Sequence, residues 1–193
     1  MKLELSSDQM FMRDEARRLL AGRAGSAELR RAIDAGGFDA SLWKTVAVEL
    51  AWCAVKVPES AGGLGLGAME LVLLAEETGR RLAPIPFWST ASLAAPLVAA
   101  LAGDAREELL GRIAGGAAAS VALDLASPEP LPTIAAKVDG VGYVLDGGVI
   151  AADLPFAEIV LVPAAIGAEL ALFVLDAGGH VRTLEPLDLT RPL

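Results

Sequence analysis

The segment with the most direct potential for chemistry is rich in glycine and begins at Gly63. With Gly65 and Ala68 as its later positions, it fits the G-x-G-x-x-A pattern of dinucleotide-binding turns. In such turns the glycines let the backbone approach a pyrophosphate at the start of a helix. The surrounding sequence shows no alternation of strands and helices, so a nicotinamide site is the less favoured interpretation. A tight turn that allows close packing of helices is the favoured one.

The other ionisable residues offer no catalytic set. His180 is the single histidine, and no second histidine or cysteine lies at ligand spacing to it, which argues against a metal site or a nucleophilic triad. Glu76 and Glu77 are adjacent, so on a helix their side chains point about 100° apart and cannot serve one centre. We expect these two glutamates to be solvated or to form ion pairs. The residue pattern alone therefore assigns no catalytic residue and no metal.

The composition is that of a globular protein that does not bind nucleic acid. The chain has 193 residues, of which 54% are hydrophobic, so it can bury a sizeable core. Its formal net charge of −9 would repel the phosphates of a nucleic acid. The lone Cys53 lies in an apolar run, which predicts a buried thiol and a reducing compartment. Because the start of the chain lacks a signal-peptide pattern, we expect a cytoplasmic protein.

One long stretch without charges, residues 82–103, has the length of a membrane span. Pro84, Pro86 and Pro96 interrupt it, and a lipid-exposed helix would be broken or left with unpaired backbone groups at these points. The sequence therefore predicts no association with a membrane and favours burial of this stretch between helices.

Helical signals fill the first part of the chain. Ser6 and Gln9 form a possible capping box, and Asp39 is a candidate N-cap for a later helix. That later helix would bury one face, whose members recur at helical spacing: Leu42, Val46 and Leu50. Further helices are predicted over residues 69–82 and from residue 104 to a glycine pair at 115–116.

From about residue 118 the sequence changes to short apolar runs separated by glycine, proline and aspartate turns. Helices followed by strands, without alternation, predict an α+β fold with segregated layers. We predict an N-terminal all-helical domain over residues 1–116, followed by a partial antiparallel β-barrel-like domain over residues 117–193.

Five motifs occur in order along the chain. They are Leu42-Trp43-Lys44, VPESAGGLGLG at residues 57–67, EETGR at 76–80, LAPIPF at 82–87 and GYVLDG at 142–147. In this order they resemble the N-terminal half of an acyl-CoA dehydrogenase. The resemblance implies FAD as the cofactor and an acyl-CoA thioester as the substrate, which loses its α proton to a glutamate base and its β hydrogen as hydride to the flavin. It also implies assembly with copies of itself or with homologous chains, and reoxidation by an electron-transfer flavoprotein.

The resemblance extends over nearly the whole chain but does not include the family's C-terminal helical domain. That domain usually carries the catalytic glutamate, so the resemblance assigns no catalytic residue either. We expect that truncation explains the end of the sequence at Leu193.

The family's flavin-binding segments can be carried over by position. The first corresponds to the stretch around Leu125 and Ala126, whose backbone amides would contact FAD. Ala126 stands where the family has a threonine, so a side-chain hydroxyl is lost there. The second segment places Ala151 and Ala152 at the flavin, without the tryptophan and threonine that cover the flavin ring in the family.

The predicted substrate contacts follow the Pro-Ile-Pro bend. In acyl-CoA dehydrogenases the corresponding bend and the helix after it lie beside the acyl chain. By this resemblance Phe87, Trp88 and Ser89 are predicted to contact the substrate.

Two functions remain open. The chain is either part of a working FAD-dependent acyl-CoA dehydrogenase that holds its flavin through backbone contacts, or a flavin-less structural subunit or fragment that pairs with a flavin-bearing homologue. An unrelated binding module with helical and β layers is a third, less favoured class. Bound flavin distinguishes the first two.

Overall fold

The computed structural model describes residues 4–101, 103, 105–123 and 134–175 of the chain. Within these ranges helices occupy the first part and strands the second, which confirms the predicted α+β class. The helices are α1 (Ser7–Arg23), α2 (Ser26–Asp34), α3 (Ala40–Trp43), α4 (Ala68–Arg80), α5 (Ala95–Ala99) and α6 (Ala105–Ala114). The strands are β1 (Ala119–Val121), β2 (Ala135–Asp139), β3 (Gly142–Asp146), β4 (Ile159–Ile166) and β5 (Glu169–Leu175).

Side-chain caps confirm the predicted helix starts. Ser6 Oγ accepts a hydrogen bond from the Gln9 amide at 3.1 Å, and Gln9 Oε1 accepts one from the Ser6 amide at 3.0 Å. Asp39 Oδ1 accepts a hydrogen bond from the Leu42 amide at 2.9 Å at the start of α3. These bonds satisfy amide groups that the first turn of a helix otherwise leaves unpaired.

One predicted helix face is wrong at its last position. Leu42 and Val46 are fully buried, but Leu50 is 48% exposed. The chain continues from α3 as a π-helical segment, Lys44–Glu49, and the Leu50 amide donates to the Thr45 carbonyl at 2.9 Å. This bond spans five residues instead of four, so the turn is wider and the side chain after it no longer lies over the predicted apolar stripe.

The strands form one sheet that mixes parallel and antiparallel pairs. β4 runs parallel to β1 and β2 and antiparallel to β5, while β2 and β3 form an antiparallel hairpin. The predicted antiparallel pairing is confirmed for β2 with β3 and for β4 with β5, whereas the pairing of β4 with β1 and β2 is parallel and corrects it. β1, β2 and β4 come from separate stretches of the chain, and the longer connections between such strands allow parallel pairing, which a tight hairpin turn does not.

The central strand β4 is buried on both faces because the sheet lies between two apolar clusters. Ile159 and Leu161 join a cluster that also contains helix side chains such as Leu74. Val160 and Val162 join a second cluster on the opposite face. This alternation follows from the two-residue repeat of a strand. The helices and one face of the sheet therefore share a single core.

The uncharged stretch over residues 82–103 is divided into short elements. A bend that contains Pro84 and Pro86 leads into a π-helical segment, Trp88–Ala94, and then into α5. Most of the stretch is buried, as predicted, for example Phe87 at 1% exposed, but Leu82 at its start is 53% exposed. Among the described residues, no helix combines the length and the apolar character that crossing a membrane requires.

Candidate functional site

The proline bend packs the predicted substrate segment against the helical core. The Pro84 carbonyl accepts a hydrogen bond from the Asp39 amide at 2.9 Å, which ties the bend to the start of α3. The ring of Phe87 meets that of Trp52 edge to face, with the centroids 6.0 Å apart. Trp88 follows directly and is only partly buried. Of the three predicted substrate residues it alone reaches the surface, and substrate contact stays a prediction for all three.

Ser89 points into the protein and is bound to a buried aspartate. Its Oγ lies 2.7 Å from Asp153 Oδ2 and 3.1 Å from the Pro86 carbonyl. A hydroxyl has one proton to donate, and the shorter distance favours Asp153 as the acceptor. Ser89 is 1% exposed and Asp153 is 3% exposed. The predicted substrate segment is thereby joined to the turn that contains Ala151 and Ala152.

The predicted flavin residues Ala151 and Ala152 lie in a turn that β1 holds in place. Ala151 is buried and packs in the second apolar cluster. The Ala152 carbonyl accepts a hydrogen bond from Ser120 Oγ at 2.7 Å. The other two predicted flavin residues, Leu125 and Ala126, lie outside the described residues, so contact with FAD remains a prediction at all four positions.

The side chains at residues 147–152 of the second flavin segment do not fit FAD. Between residues 147 and 152 the chain has only glycine, valine, isoleucine and alanine, so it offers the cofactor no hydroxyl, amide, cation or aromatic ring. A protein that holds a flavin orients it and tunes it with hydrogen bonds and charges near its ring nitrogens. One backbone acceptor of the segment, the Ala152 carbonyl, is already bonded to Ser120. Residues 147–152 can form a wall but supply no side-chain ligand.

A third hydroxyl group joins the helices to the sheet. Thr90 is fully buried, and its Oγ1 accepts a hydrogen bond from the Ala119 amide at 2.9 Å and lies 3.2 Å from the Ala119 carbonyl. We call Ser89, Thr90, Ser120 and Asp153 the polar seam. Sequence reasoning missed a role for Thr90, Ser120 and Asp153, although each is a polar residue in or beside an apolar run.

The glycine-rich loop uses its amide groups within the protein. The amides of residues 62 to 66 donate, in order, to the backbone carbonyls of Glu59, Pro58, Ala54, Val57 and Val55. The Gly67 amide donates to Glu70 Oε2 at 3.0 Å. A phosphate-binding turn needs such amides to point at the ligand. The structure therefore supports the tight-turn interpretation over a nicotinamide site.

Acidic, histidine and cysteine side chains are common metal ligands in proteins. In the ranges that the structure describes, no three or more of these side chains are grouped so that they could hold a metal ion. His180 lies outside those ranges.

Comparisons with known proteins agree with the motif order. The family model described as "Acyl-CoA dehydrogenase, N-terminal domain" matches residues 6–117. The chain is 31% identical over 112 residues to acyl-CoA dehydrogenase IpdE2 of Mycobacterium tuberculosis, which covers 58% of this chain and 35% of that protein. The chain thus spans about a third of this curated relative.

Two solved structures have similar folds. The steroid ACAD Tcur3481-Tcur3483 matches with a TM-score of 0.84 and 28% identity, over 96% of this chain and 53% of that one. The ChsE4-ChsE5 complex from Mycobacterium tuberculosis matches with a TM-score of 0.86 and 25% identity, over 100% of this chain and 54% of that one.

Proposed function

Because the chain belongs to the acyl-CoA dehydrogenase family, we propose that it is part of an FAD-dependent acyl-CoA dehydrogenase. The reaction is the α,β-dehydrogenation of an acyl-CoA thioester. The observation that carries this proposal is the match of residues 6–117 to the N-terminal domain of the family. The proposal includes a helical unit over residues 1–116 and a β unit over residues 117–193.

A specific observation favours an arrangement in which a homologous partner chain holds the flavin. Residues 147–152 offer no polar or aromatic side chain, and the Ala152 carbonyl is already bonded to Ser120. In this arrangement the chain acts as a structural subunit beside a flavin-bearing acyl-CoA dehydrogenase-like chain. The similarity to the two-component ChsE4-ChsE5 complex supports a hetero-oligomer.

The proposal extends to the substrate, the electron acceptor and the cell compartment. Similarity to a steroid ACAD supports a bulky, ring-bearing acyl-CoA as the first thioester to test. An electron-transfer flavoprotein would reoxidise the flavin. The net charge of −9 argues against nucleic acid as a partner, and the single cysteine, which is buried, supports a reducing cytoplasmic location.

The test is the visible absorbance spectrum of the purified protein, recorded alone and again after co-expression with a flavin-bearing acyl-CoA dehydrogenase-like chain. Octanoyl-CoA and a steroid side-chain CoA thioester are then added to each sample. Flavin that the chain binds alone and that bleaches with thioester supports a flavin site in this chain. A colourless chain whose complex is yellow and bleaches supports the structural-subunit arrangement.

The control distinguishes a chain that folds without binding flavin from a chain that fails to fold. Far-UV circular dichroism must first show that the colourless chain retains its helices. A folded chain that stays colourless, forms no complex and gives no thioester-dependent bleaching would contradict both arrangements.

A further inference from the structure

The Ser89 hydroxyl is poorly placed to touch a substrate. The residue is 1% exposed, and both acceptors near its Oγ belong to the protein, with Asp153 Oδ2 at 2.7 Å and the Pro86 carbonyl at 3.1 Å. A single proton donated to Asp153 leaves none for a ligand. The sequence-based expectation that Ser89 contacts substrate therefore needs a different interpretation.

Asp153 combines a left-handed backbone conformation with a buried side chain. Its φ of +59° lies in the left-handed region, which is unfavourable for residues other than glycine, although aspartate and asparagine tolerate it best. The carboxylate is 3% exposed and accepts the hydrogen bond from Ser89. If the turn moved away from Ser89, the buried carboxylate would lose a hydrogen bond, and an unpaired buried carboxylate is costly. The bond therefore resists movement of the turn.

The same turn is held from a second side. The Ala152 carbonyl accepts a hydrogen bond from Ser120 Oγ of β1 at 2.7 Å. Ser89 comes from the π-helical segment Trp88–Ala94, so the two hydroxyls fix the turn at residues 151–153 to both a helical element and a strand. Trp88, the partly exposed member of the predicted substrate segment, is the residue before Ser89.

We propose that Ser89 and Asp153 are positioning residues that couple the substrate-side segment at Trp88 to the turn at Ala151 and Ala152. This inference rests on the proposed function for its link to substrate, but the coupling itself is a property of the chain alone. Neither side chain touches the reacting atoms. Their hydrogen bond fixes the position of the segment at Trp88 relative to the turn at Ala151 and Ala152.

The first experiment measures the coupling without any cofactor. Amide hydrogen–deuterium exchange is followed in the peptide covering residues 147–156, for the wild-type chain and for Ser89→Ala, Asp153→Gly and Asp153→Asn. Ser89→Ala removes the hydrogen-bond donor to Asp153, which is 64 residues from Ser89 along the chain. We expect exchange in this peptide to speed up by about tenfold. Asp153→Asn keeps an acceptor and tolerates the left-handed backbone, so it should rescue most of the protection.

A matched control removes another hydroxyl from the helical part. Thr78 is 7% exposed and its Oγ1 donates to the Ala75 carbonyl at 2.9 Å, so Thr78→Ala also deletes one intramolecular hydrogen bond. We expect it to lower the unfolding midpoint while leaving exchange in residues 147–156 unchanged. Unchanged exchange in Ser89→Ala, or an equal effect from Thr78→Ala, would overturn the coupling.

The second experiment asks whether the coupling positions the substrate site. In the assembled flavoprotein, the KM and kcat of Ser89→Ala, Asp153→Gly and the double variant are measured with the thioester that the wild type turns over. We expect KM to rise severalfold in each single variant and no further in the double variant. Each of the two changes removes the same hydrogen bond, the one between Ser89 and Asp153. Additive changes, or an unaltered KM beside a loosened turn, would overturn the positioning role. A wild-type assembly without turnover contradicts the proposed function instead, and the exchange result stands separately.

Discussion

Arg17 of α1 holds the carboxylate of Glu77 in α4 through both of its oxygens. Arg17 Nη2 lies 2.6 Å from Glu77 Oε1, and Nε lies 3.2 Å from each oxygen. The Glu77 side chain is 1% exposed, whereas that of Arg17 is 46% exposed. Arg80 Nε adds a longer contact to Glu77 Oε2 at 3.5 Å. The hydrogen bond from Arg17 holds the pKa of Glu77 below its usual range.

Replacing this carboxylate should destabilise the protein and change its response to acid. Glu77→Gln removes the charge while keeping the volume, and we expect the free energy of unfolding at pH 7 to fall by about 2 kcal/mol. Because the folded pKa of Glu77 is lowered, its contribution is complete above the unfolded value of about 4.5 and is lost as the pH falls further. Urea unfolding between about pH 7 and pH 3 should give a shallower loss of stability in the variant than in the wild type.

The adjacent glutamate provides the control. Glu76 is about half exposed and pairs with Arg80 on the surface of α4. Glu76→Gln should change the free energy of unfolding at pH 7 by no more than about 0.5 kcal/mol. Equal effects of the two substitutions would contradict the role given to Glu77.

The glycine-rich loop should tolerate no side chain at Gly63. A Cβ built at this residue would lie 2.0 Å from the Val57 carbonyl oxygen, and that oxygen belongs to rigid backbone. We expect Gly63→Ala to lower the free energy of unfolding by more than about 2 kcal/mol, measured by urea denaturation. Gly79→Ala is the matched change, because a Cβ there has no neighbour within 4 Å. That variant should be more stable than the wild type by roughly 0.5 to 1 kcal/mol, and a stable Gly63→Ala protein would rule out the steric argument.

These features differ in how far the sequence predicts them. The capping box of Ser6 and Gln9 was predictable because its partners are three residues apart and meet whenever the helix forms. The sequence also predicts that Glu76 and Glu77 are either solvated or ion-paired, and both form ion pairs. Which of the two is buried depends on how α4 is rotated towards Arg17, a partner 60 residues away from Glu77.

The polar seam was beyond prediction from one sequence for the same reason. Ser89 and Asp153 are 64 residues apart, and a serine in a helical segment has nearby carbonyls as alternative partners. The widened turn before Leu50 was equally hidden, since a π-helical segment interrupts a sequence pattern that fits a regular helix. Signals within a few residues of sequence predicted most of the helices and strands. The contacts between distant elements became visible only in the folded structure.

The single cysteine should be unreactive in the native protein. Cys53 is 1% exposed, and burial raises the pKa of its thiol to about 12. Only the thiolate reacts quickly, so iodoacetamide should leave the folded protein unmodified at pH 8, where the thiolate is a minute fraction. Mass spectrometry should find one alkylated cysteine after unfolding in urea. Rapid labelling without denaturant would contradict the buried position.

The contact between the helices and the sheet should depend on the hydroxyl of Thr90. This residue is fully buried, and its Oγ1 accepts the hydrogen bond from the Ala119 amide of β1 at 2.9 Å. Thr90→Val keeps the shape of the side chain but replaces the oxygen by a methyl group, so the buried amide loses this acceptor. We expect the free energy of unfolding to fall by about 1 to 3 kcal/mol, measured by urea denaturation.

Thr45→Val is the control. It removes a hydroxyl whose bond to the Ser41 carbonyl, at 3.2 Å, lies near the surface, so its effect should stay within about 0.5 kcal/mol. Similar losses for the two variants would mean that the Thr90 hydroxyl does not hold β1 to the helices.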